Sequence, residues 1–577
     1  MPQNTTPVLN LIAELSLDAR LELRRIAQRV ELPAGKVLFE QGDHGNSVYL
    51  VTSGSLGTYV RDDAGGMRLM ALVRPGETVG EMSLISGQSR SATVIAIRDT
   101  EMLRLSKGKF DRLLESEPTL SQGLNKLLVH RLRQVTSGET THHEPKTIAF
   151  IPAGRAEDTF AFAEELSELL QQNGYSVLKV TQKDISRTSR WFSRAEARHD
   201  FVFMYAEQHQ VGWWKLCTRQ ADRVLIVADA NDREECDLPN ELLEQRAQHQ
   251  LLDLVLLHPR DIKTPTHGPQ WRQLLNVNRH FHIRRQSSED LQRMMRLLLG
   301  QSVGLVLSGG GARAYAHVGV LKALEEANIP VDFVGGTSMG SIIAACCAVG
   351  WSAADIEANV REAFVSSNPL SDYTLPLTSL VGGRIVARRF DKYFGKVEIH
   401  DLWRPYFCIS ANLTNGTTEI HEDGKLVDAL MASIALPGVL PPRIHDVGVL
   451  ADGGILNNLP ADVMRGRHRG PIIAVDVARD HALTPEDLRR EINAPLWRRM
   501  TRPVIVSVLM RAGTITHETS NRARGELADL WLQPPLGDVD IRNWKAFDET
   551  VALGYNYTRD VLNENAQLLR PPLGFMS

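Results

Sequence analysis

Cysteine is scarce in this chain, with five residues in 577: Cys217, Cys236, Cys346, Cys347 and Cys408. An odd, scattered set with one adjacent pair offers neither a disulfide framework nor zinc-ligand spacing, and it points to a reducing compartment. An excess of one charge is missing too. The formal net charge is -4 and the pI is near 6.5, so bulk electrostatics give no case for nucleic-acid binding. The longest uncharged run, Phe333 to Ala354, is broken by Gly335, Gly336, Gly340 and Gly350. It reads as strand, turn and buried helix, not as a membrane span. The opening MPQNTTPVLNLIAELSLDARLELRRIA lacks the basic start, apolar stretch and small-residue cleavage site of a signal peptide. Disorder is excluded as well, because 43% hydrophobic and 23% charged residues describe a globular chain. At about 150 residues per domain, the length allows roughly four domains.

What is present changes period along the chain. Residues 1 to about 30 read as an amphipathic helical lead-in. From Val37 to Leu105 come short alternating runs such as VLFEQGD, SVYLVTSG and ATVIAI, with turns at Gly42, Gly54, Gly65-Gly66 and Gly76. That pattern predicts a small antiparallel barrel or sandwich. Leu120, Leu124, Leu127, Leu128, Leu132 and Val135 then mark a helix. A polar stretch, Ser137 to Lys146, reads as a linker. Beyond Thr147 the apolar runs TIAFIPA, YSVLKV, DFVFMYA, RVLIVADA and LLDLVLLHP alternate with helical segments, an α/β pattern with a parallel sheet and no glycine-rich phosphate loop. A third unit opens at Val303 and is again α/β. The tail from about Leu483 reads as helical and proline-punctuated.

The motifs lie in that third unit. A strand from Val303 to Leu307 ends in Ser308-Gly309-Gly310-Gly311-Ala312-Arg313, and a helix follows. Glycines between strand and helix expose backbone N–H groups beside a positive helix end, which suits an anion. A tight turn or a nucleotide loop would look the same. The next strand, Val331 to Val334, leads into Gly336-Thr337-Ser338-Met339-Gly340 and an apolar helix. Strand, G-x-S-x-G and helix are the context of a nucleophile elbow. A serine nucleophile needs a base. The apolar run Val447 to Leu450 is followed by Asp452-Gly453-Gly454, where an Asx turn is the plain alternative.

GGGARAYAHVGVL, GTSMG and DGG, in this order, resemble the patatin-like phospholipase family. The resemblance implies a Ser338–Asp452 dyad. It makes Gly309, Gly310, Gly311 and Arg313 the oxyanion loop, and Gly336 and Gly340 the flanks of the elbow. Ala314 stands where the family has glycine. KTIAFIPAGRAED, RQADRVLIVADA and LLDLVLLHP resemble the region that precedes the esterase core in neuropathy target esterase and its bacterial relatives, and PVIVSVLMRA resembles the segment after it. The implied substrate is a phospholipid or lysophospholipid acyl ester, cleaved with no metal or other catalytic cofactor.

In the first unit, Gly80-Glu81 opens a short helix and Arg90-Ser91-Ala92 follows it. A surface Glu–Arg pair is the plain reading. With the surrounding strands, the segment resembles the phosphate-binding cassette of cyclic nucleotide-binding domains, with Ser89 where proline is common. The resemblance gives Gly80, Glu81, Arg90, Ser91 and Ala92 to cAMP or cGMP, with Glu81 on the ribose and Arg90 on the phosphate.

The expected division is therefore multidomain. Residues 1–136 form a cyclic nucleotide-binding β-roll with flanking helices, and 137–146 a linker. Residues 147–300 form an α/β intermediate domain, 301–482 a patatin-like catalytic domain with a central, mostly parallel sheet, and 483–577 a helical extension packed on it. Cys346 and Cys347 read as core, and His317 as structural. The stretch Arg465, Arg467, His468, Arg469, Arg489, Arg490, Trp497, Arg498 and Arg499 reads first as a solvated face, and second as a patch for docking on anionic lipid. The expected location is cytoplasmic or peripheral on the inner face of the membrane. Three rivals stand beside this reading. An α/β-hydrolase triad would recruit His468 or His481 for a non-lipid ester. A cyclic-nucleotide-dependent transcription regulator fails for want of a helix-turn-helix and basic excess. A signalling scaffold with vestigial hydrolase activity conflicts with intact Ser338 and Asp452.

Overall fold

In the computed structural model the chain forms two compact units, one of residues 1–257 and 274–280, the other of 258–273 and 281–577. The residues described are 16–61, 67–117, 120–126, 128–129, 145–206, 211–233, 236, 238, 251–275, 277, 279–366, 371–374, 379–467, 470–478, 486, 489, 493, 517–537 and 539–564. Most of the expected linker, Leu127, Leu132, Val135, His468, Arg469, His481, Arg490, Trp497, Arg498 and Arg499 lie outside them.

The first unit opens on α1 (Leu17–Ile26), where Ser16 Oγ accepts from the Ala19 N–H. Only this stretch of the lead-in is helical among the described residues. Arg-Val-Glu-Leu, which merges with the helical pattern on paper, belongs to a strand. The strands β1 (Gln28–Leu32), β2 (Val37–Phe39), β3 (Ser47–Arg61), β4 (Met67–Val73), β5 (Thr78–Val79) and β6 (Thr93–Ser106) form one antiparallel sheet. Its order is β1-β6-β3-β4, with β2 on β6 and β5 on β3. The two long strands shift register between Val51 and Leu56. Gly54 sits there at φ +86°, where a Cβ would lie 2.4 Å from the Asp99 carbonyl. The resulting roll closes over Val51, Leu56, Val73, Val94 and Met102. Helix α2 (Glu81–Ser86) fills the gap between β5 and β6. Helix α3 (Lys107–Ser116), Leu120 and Leu124 pack with α1.

The α/β region carries β7 (Thr147–Pro152), β8 (Val177–Val180), β9 (Phe201–Tyr205), β10 (Arg223–Asp229), β11 (Leu251–His258) and β12 (Arg279–Arg284), ordered β12-β11-β10-β7-β9-β8. The run from β8 to β11 is parallel, as the continuous apolar runs predict. Helices α4 (Ala156–Gln172), α5 (Ser189–Arg198) and α6 (Val211–Gln220) flank it. The roll is tied to this region by charge. Arg98 on β6 is 5% exposed and forks onto Glu196 of α5, with the Asp222 carboxylate 3.6 Å away. Asp99 pairs with Arg219 of α6, and Glu101 with Arg190 of α5 at 2.8 Å.

The second unit is built on an eight-stranded sheet, ordered β17-β18-β15-β14-β13-β19-β20 with β16 on β15. Its strands are β13 (Gly304–Leu307), β14 (Phe333–Thr337), β15 (Tyr406–Asn412), β16 (Thr417–His421), β17 (Arg443–His445), β18 (Gly448–Asp452), β19 (Ile472–Val475) and β20 (Leu530–Leu532). β15, β14, β13, β19 and β20 run parallel, whereas β16 and β18 oppose β15. The tail is thus not only helical. It adds β20 to the sheet, a three-residue strand too short to show a period. The tail's last helix, α10 (Phe547–Glu564), crosses α7 (Ala316–Glu326) where Gly319 and Gly554 remove both side chains. A Cβ on either would come within 2.2 Å of the other helix's backbone. Among the described residues no helix is long and apolar enough to cross a membrane.

Candidate functional site

β13 and β14 lie side by side, pairing Leu307 with Gly336, so the loops that follow them are neighbours. Ser338 caps α8 (Met339–Val349) at φ +53°, ψ -127°, a conformation that costs a non-glycine residue about 1–3 kcal/mol. Its flanking glycines make that turn possible. A Cβ on Gly340 would lie 2.4 Å from the carbonyls of Leu307 and Ser308, and one on Gly336 would lie 2.8 Å from Gly340. The Ser338 N–H donates to Ser433 Oγ (3.0 Å), at the end of α9 (Leu426–Ser433). Its hydroxyl donates to Asp452 Oδ2 at 2.6 Å.

Asp452 ends β18, opposite Ser410 of β15, which brings it level with the end of β14. Burial pushes its carboxyl up to about 6, against the Ser338 hydroxyl and the Gly454 N–H, which favour the anion. A base titrating there is ionised at neutral pH yet basic enough to take a proton. Among the described residues no histidine bonds to Ser338 or Asp452. His421, the one nearest in the sheet, meets Ser410 instead at 2.7 Å.

The glycine loop is pinned at its first residue. Ser308 Oγ accepts from the Val477 N–H (2.9 Å), and its carbonyl accepts from His317 Nε2 (2.8 Å). Burial pulls the His317 imidazole down to about 4, so it is neutral and donates from Nε2. Beside it, burial pushes Asp476 up to about 6, with the Ala478 N–H, Asn521 and Ser308 acting the other way. Gly311 adopts φ +56°, where a Cβ would lie 2.4 Å from the Ile541 carbonyl. That carbonyl accepts from the Ala312 N–H at 2.8 Å. Arg313 is buried and its Nε donates to the Val539 carbonyl at 2.7 Å. The geometry therefore turns Arg313 toward the tail. The N–H groups of Gly310 and Gly311 meet no acceptor among the described residues.

The second cluster lies in the roll. Glu81 is buried in the first turn of α2, and Arg90 is 5% exposed. Arg90 Nη1 donates to the Gly80 carbonyl and Ser83 Oγ, and Nη2 to the Ser47 carbonyl, each at 2.8 Å. Its Nε has no partner among the described residues. The Phe39 ring lies 4.1 Å from the guanidinium carbon. Gly45 and Gly80 make room for this arrangement, since a Cβ at either would strike Ser83 or Arg90 within 2.4 Å. Ser91 is exposed and Ala92 half-buried.

Three known families match successive segments of the chain. The patatin-like phospholipase family matches residues 305–465, and the cyclic nucleotide-binding domain family residues 29–117. The neuropathy target esterase family P-loop like domain matches residues 144–299. An uncharacterised NTE family protein of Mycobacterium tuberculosis is 30% identical over 95% of both chains. This chain belongs to the neuropathy target esterase family. Human patatin-like phospholipase domain-containing protein 6 is also 30% identical, over 92% of this chain but 44% of its own length. Among solved structures, the Thermus thermophilus catabolite activator protein is 31% identical over 28% of this chain and 71% of that one, with a TM-score of 0.21.

Within this NTE-family chain, the P-loop-like region has only Ala153-Gly154-Arg155 between β7 and α4, and acidic Glu157 and Asp158 in the helix's first turn. Acidic residues at a helix start oppose a phosphate. Several partners of the sites were not singled out from sequence: Ser433, Asn458, Asp476, Val539 and Ile541 around the dyad, and Phe39, Gly45, Ser47 and Ser83 around Arg90. The carbonyl partners carry no residue-type signal. Asn458, six residues past Asp452 in DGGILNN, was within reach. Cys346 and Cys347 are buried. Arg465 pairs with Asp529 and Arg467 with Glu422, at 2.8 and 2.6 Å.

Proposed function

We propose that this protein hydrolyses the acyl esters of phospholipids or lysophospholipids through a Ser338–Asp452 dyad, and that its first unit binds a cyclic nucleotide that regulates the reaction. The observation that carries the hydrolase reading is the 2.6 Å bond from Ser338 Oγ to a buried carboxylate at a strained elbow. Ser338 Oγ attacks the ester carbonyl while Asp452 takes its proton, and the alkoxide of the carbonyl meets the Gly310 and Gly311 N–H groups. Collapse expels the alcohol, the lysolipid or glycerol headgroup portion, which takes the proton back. Water, deprotonated by Asp452, then releases the fatty acid and restores Ser338.

The ligand reading rests on Arg90. Nη1 donates to the Gly80 carbonyl and Ser83 Oγ and Nη2 to the Ser47 carbonyl, while Nε–H is buried with no partner among the described residues. An uncommitted guanidinium N–H of this kind suits a phosphate oxygen. The substrate class implies work at a membrane surface. Arg465 and Arg467 carry ion pairs to Asp529 and Glu422, which suits the solvated reading of those two residues.

The test is hydrolysis of a panel of phospholipids and lysophospholipids, with and without cAMP and cGMP, alongside labelling by a fluorophosphonate. Ser338→Ala should lose both activities, by about 10⁴-fold or more. Undiminished labelling in that variant overturns the nucleophile assignment, and a wild type inert to every ester overturns the hydrolase reading.

A further inference from the structure

Seven residues of chain, Asp452 to Asn458, touch every part of the dyad site. Asp452 holds the nucleophile's hydroxyl. The Gly453 carbonyl accepts from the Asn457 N–H (2.9 Å), closing a turn that brings the two asparagines back over the site. The Asn457 carbonyl accepts from Thr337 Oγ1 at 2.9 Å, fixing the residue before the nucleophile. Asn458 is 4% exposed, and its Nδ2 donates to the Gly309 carbonyl at 3.3 Å. Its Oδ1 is wedged between two glycines. A Cβ on Gly309 would lie 2.7 Å from it, and one on Gly454 3.2 Å. Ser338 Cβ is 2.9 Å from the same point on Gly309, so Asn458, Ser338 and the donor loop converge there.

We propose that Asn458 is the positioning residue of the oxyanion loop, acting through the Gly309–Gly310 peptide. The inference rests on the hydrolase reading above. A trans peptide is planar, with its C=O and N–H pointing opposite ways. Holding the Gly309 carbonyl on Asn458 therefore aims the Gly310 N–H away from Asn458 and keeps an acceptor from turning into the place of the developing oxyanion. Glycine can otherwise take either peptide orientation at little cost. Asn458 thus does for the donors what Asp452 does for the nucleophile, and the same short segment supplies both.

The test compares Asn458→Asp with Asn458→Ala and Asn458→Ser in the full chain. Aspartate keeps the shape but sets a carboxylate oxygen against the Gly309 carbonyl, whereas serine keeps a donor. Loss of one oxyanion donor costs about 10²–10³ in kcat, so kcat should fall about 10²-fold in the aspartate and alanine variants and less in serine. KM should stay within about threefold. Affinity for a trifluoromethyl ketone, which forms a tetrahedral adduct on Ser338, should fall in step with kcat. The melting temperature, read for each variant, separates misfolding from misaligned donors, and serine or alanine serves if aspartate does not fold. Unchanged kcat in a folded variant overturns the proposal, as does a fall in kcat with undiminished ketone affinity. Either result in a chain whose wild type is active leaves the hydrolase reading standing. An inactive wild type overturns both.

Discussion

The dyad site and the Arg90 cluster are both buried polar sites on glycine-cut loops, but they are held in different states. Around Ser338 the reacting groups already touch: hydroxyl on carboxylate, donor loop braced by Ser308, Asn458 and the tail. Around Arg90 the guanidinium is already committed to the Gly80 and Ser47 carbonyls and Ser83 Oγ, and its Nε is buried with no partner among the described residues. A catalytic site gains from preorganisation, because reorganising at the transition state costs rate. A regulatory site must bind its ligand unequally in two states, or it regulates nothing.

The strongest way to sharpen that contrast is Asp452→Asn. It should cut kcat/KM by about 10²–10⁴-fold, the usual worth of a positioned base, with nucleotide affinity unmoved in calorimetry. His468→Ala and His481→Ala should each cost under about tenfold; a loss matching Asp452→Asn would bring back the histidine triad. Next comes Arg98→Ala. It strips the cation from Glu196 and Asp222, and breaking a buried pair from one side costs about 3–5 kcal/mol. Denaturant unfolding should register that loss, and a change below about 1 kcal/mol would mean the pair is not structural. Arg90→Ala follows, with cyclic-nucleotide binding weakened well over tenfold and ligand-free hydrolysis near wild type. Nucleotide binding that changes no rate would separate the two sites altogether.

The smallest effect concerns pH. Asp452 has its folded value raised to about 6 from the ordinary 3.8, so the native state holds this proton more tightly than the unfolded chain does. Its favourable contribution is present below about pH 4 and lost as pH rises through 6. Asp452→Asn should therefore melt a few degrees higher than the parent at pH 8 and level with it at pH 4. The parent's kcat/KM should rise in a one-proton step near pH 6. A flat profile would exclude Asp452 as the titrating base.

The elements that sequence disclosed are those whose chemistry is local. GGGAR, GTSMG and DGG each carry their function in consecutive residues, and the roll and parallel sheet follow from periods that a short window shows. β20 escaped because three residues have no period, and β1 because its alternation continues the helix pattern before it. The braces escaped for a different reason. Val539 and Ile541 contribute carbonyls, which every residue owns, and only the tertiary approach of the tail selects them. Gly45 looks like any turn glycine until Ser83 and Arg90 close on it.

The bond from Arg313 to Val539 spans 226 positions. Synthesis runs from the N-terminus, and domains fold in that order. The growing chain therefore displays the nucleophile strand and the DGG turn well before the carbonyls that frame its donor loop exist. A ribosome-bound chain cut short of Val539 holds the glycine loop without its Arg313 tether. The order of synthesis thus completes the Arg313 contact only after most of the chain has emerged.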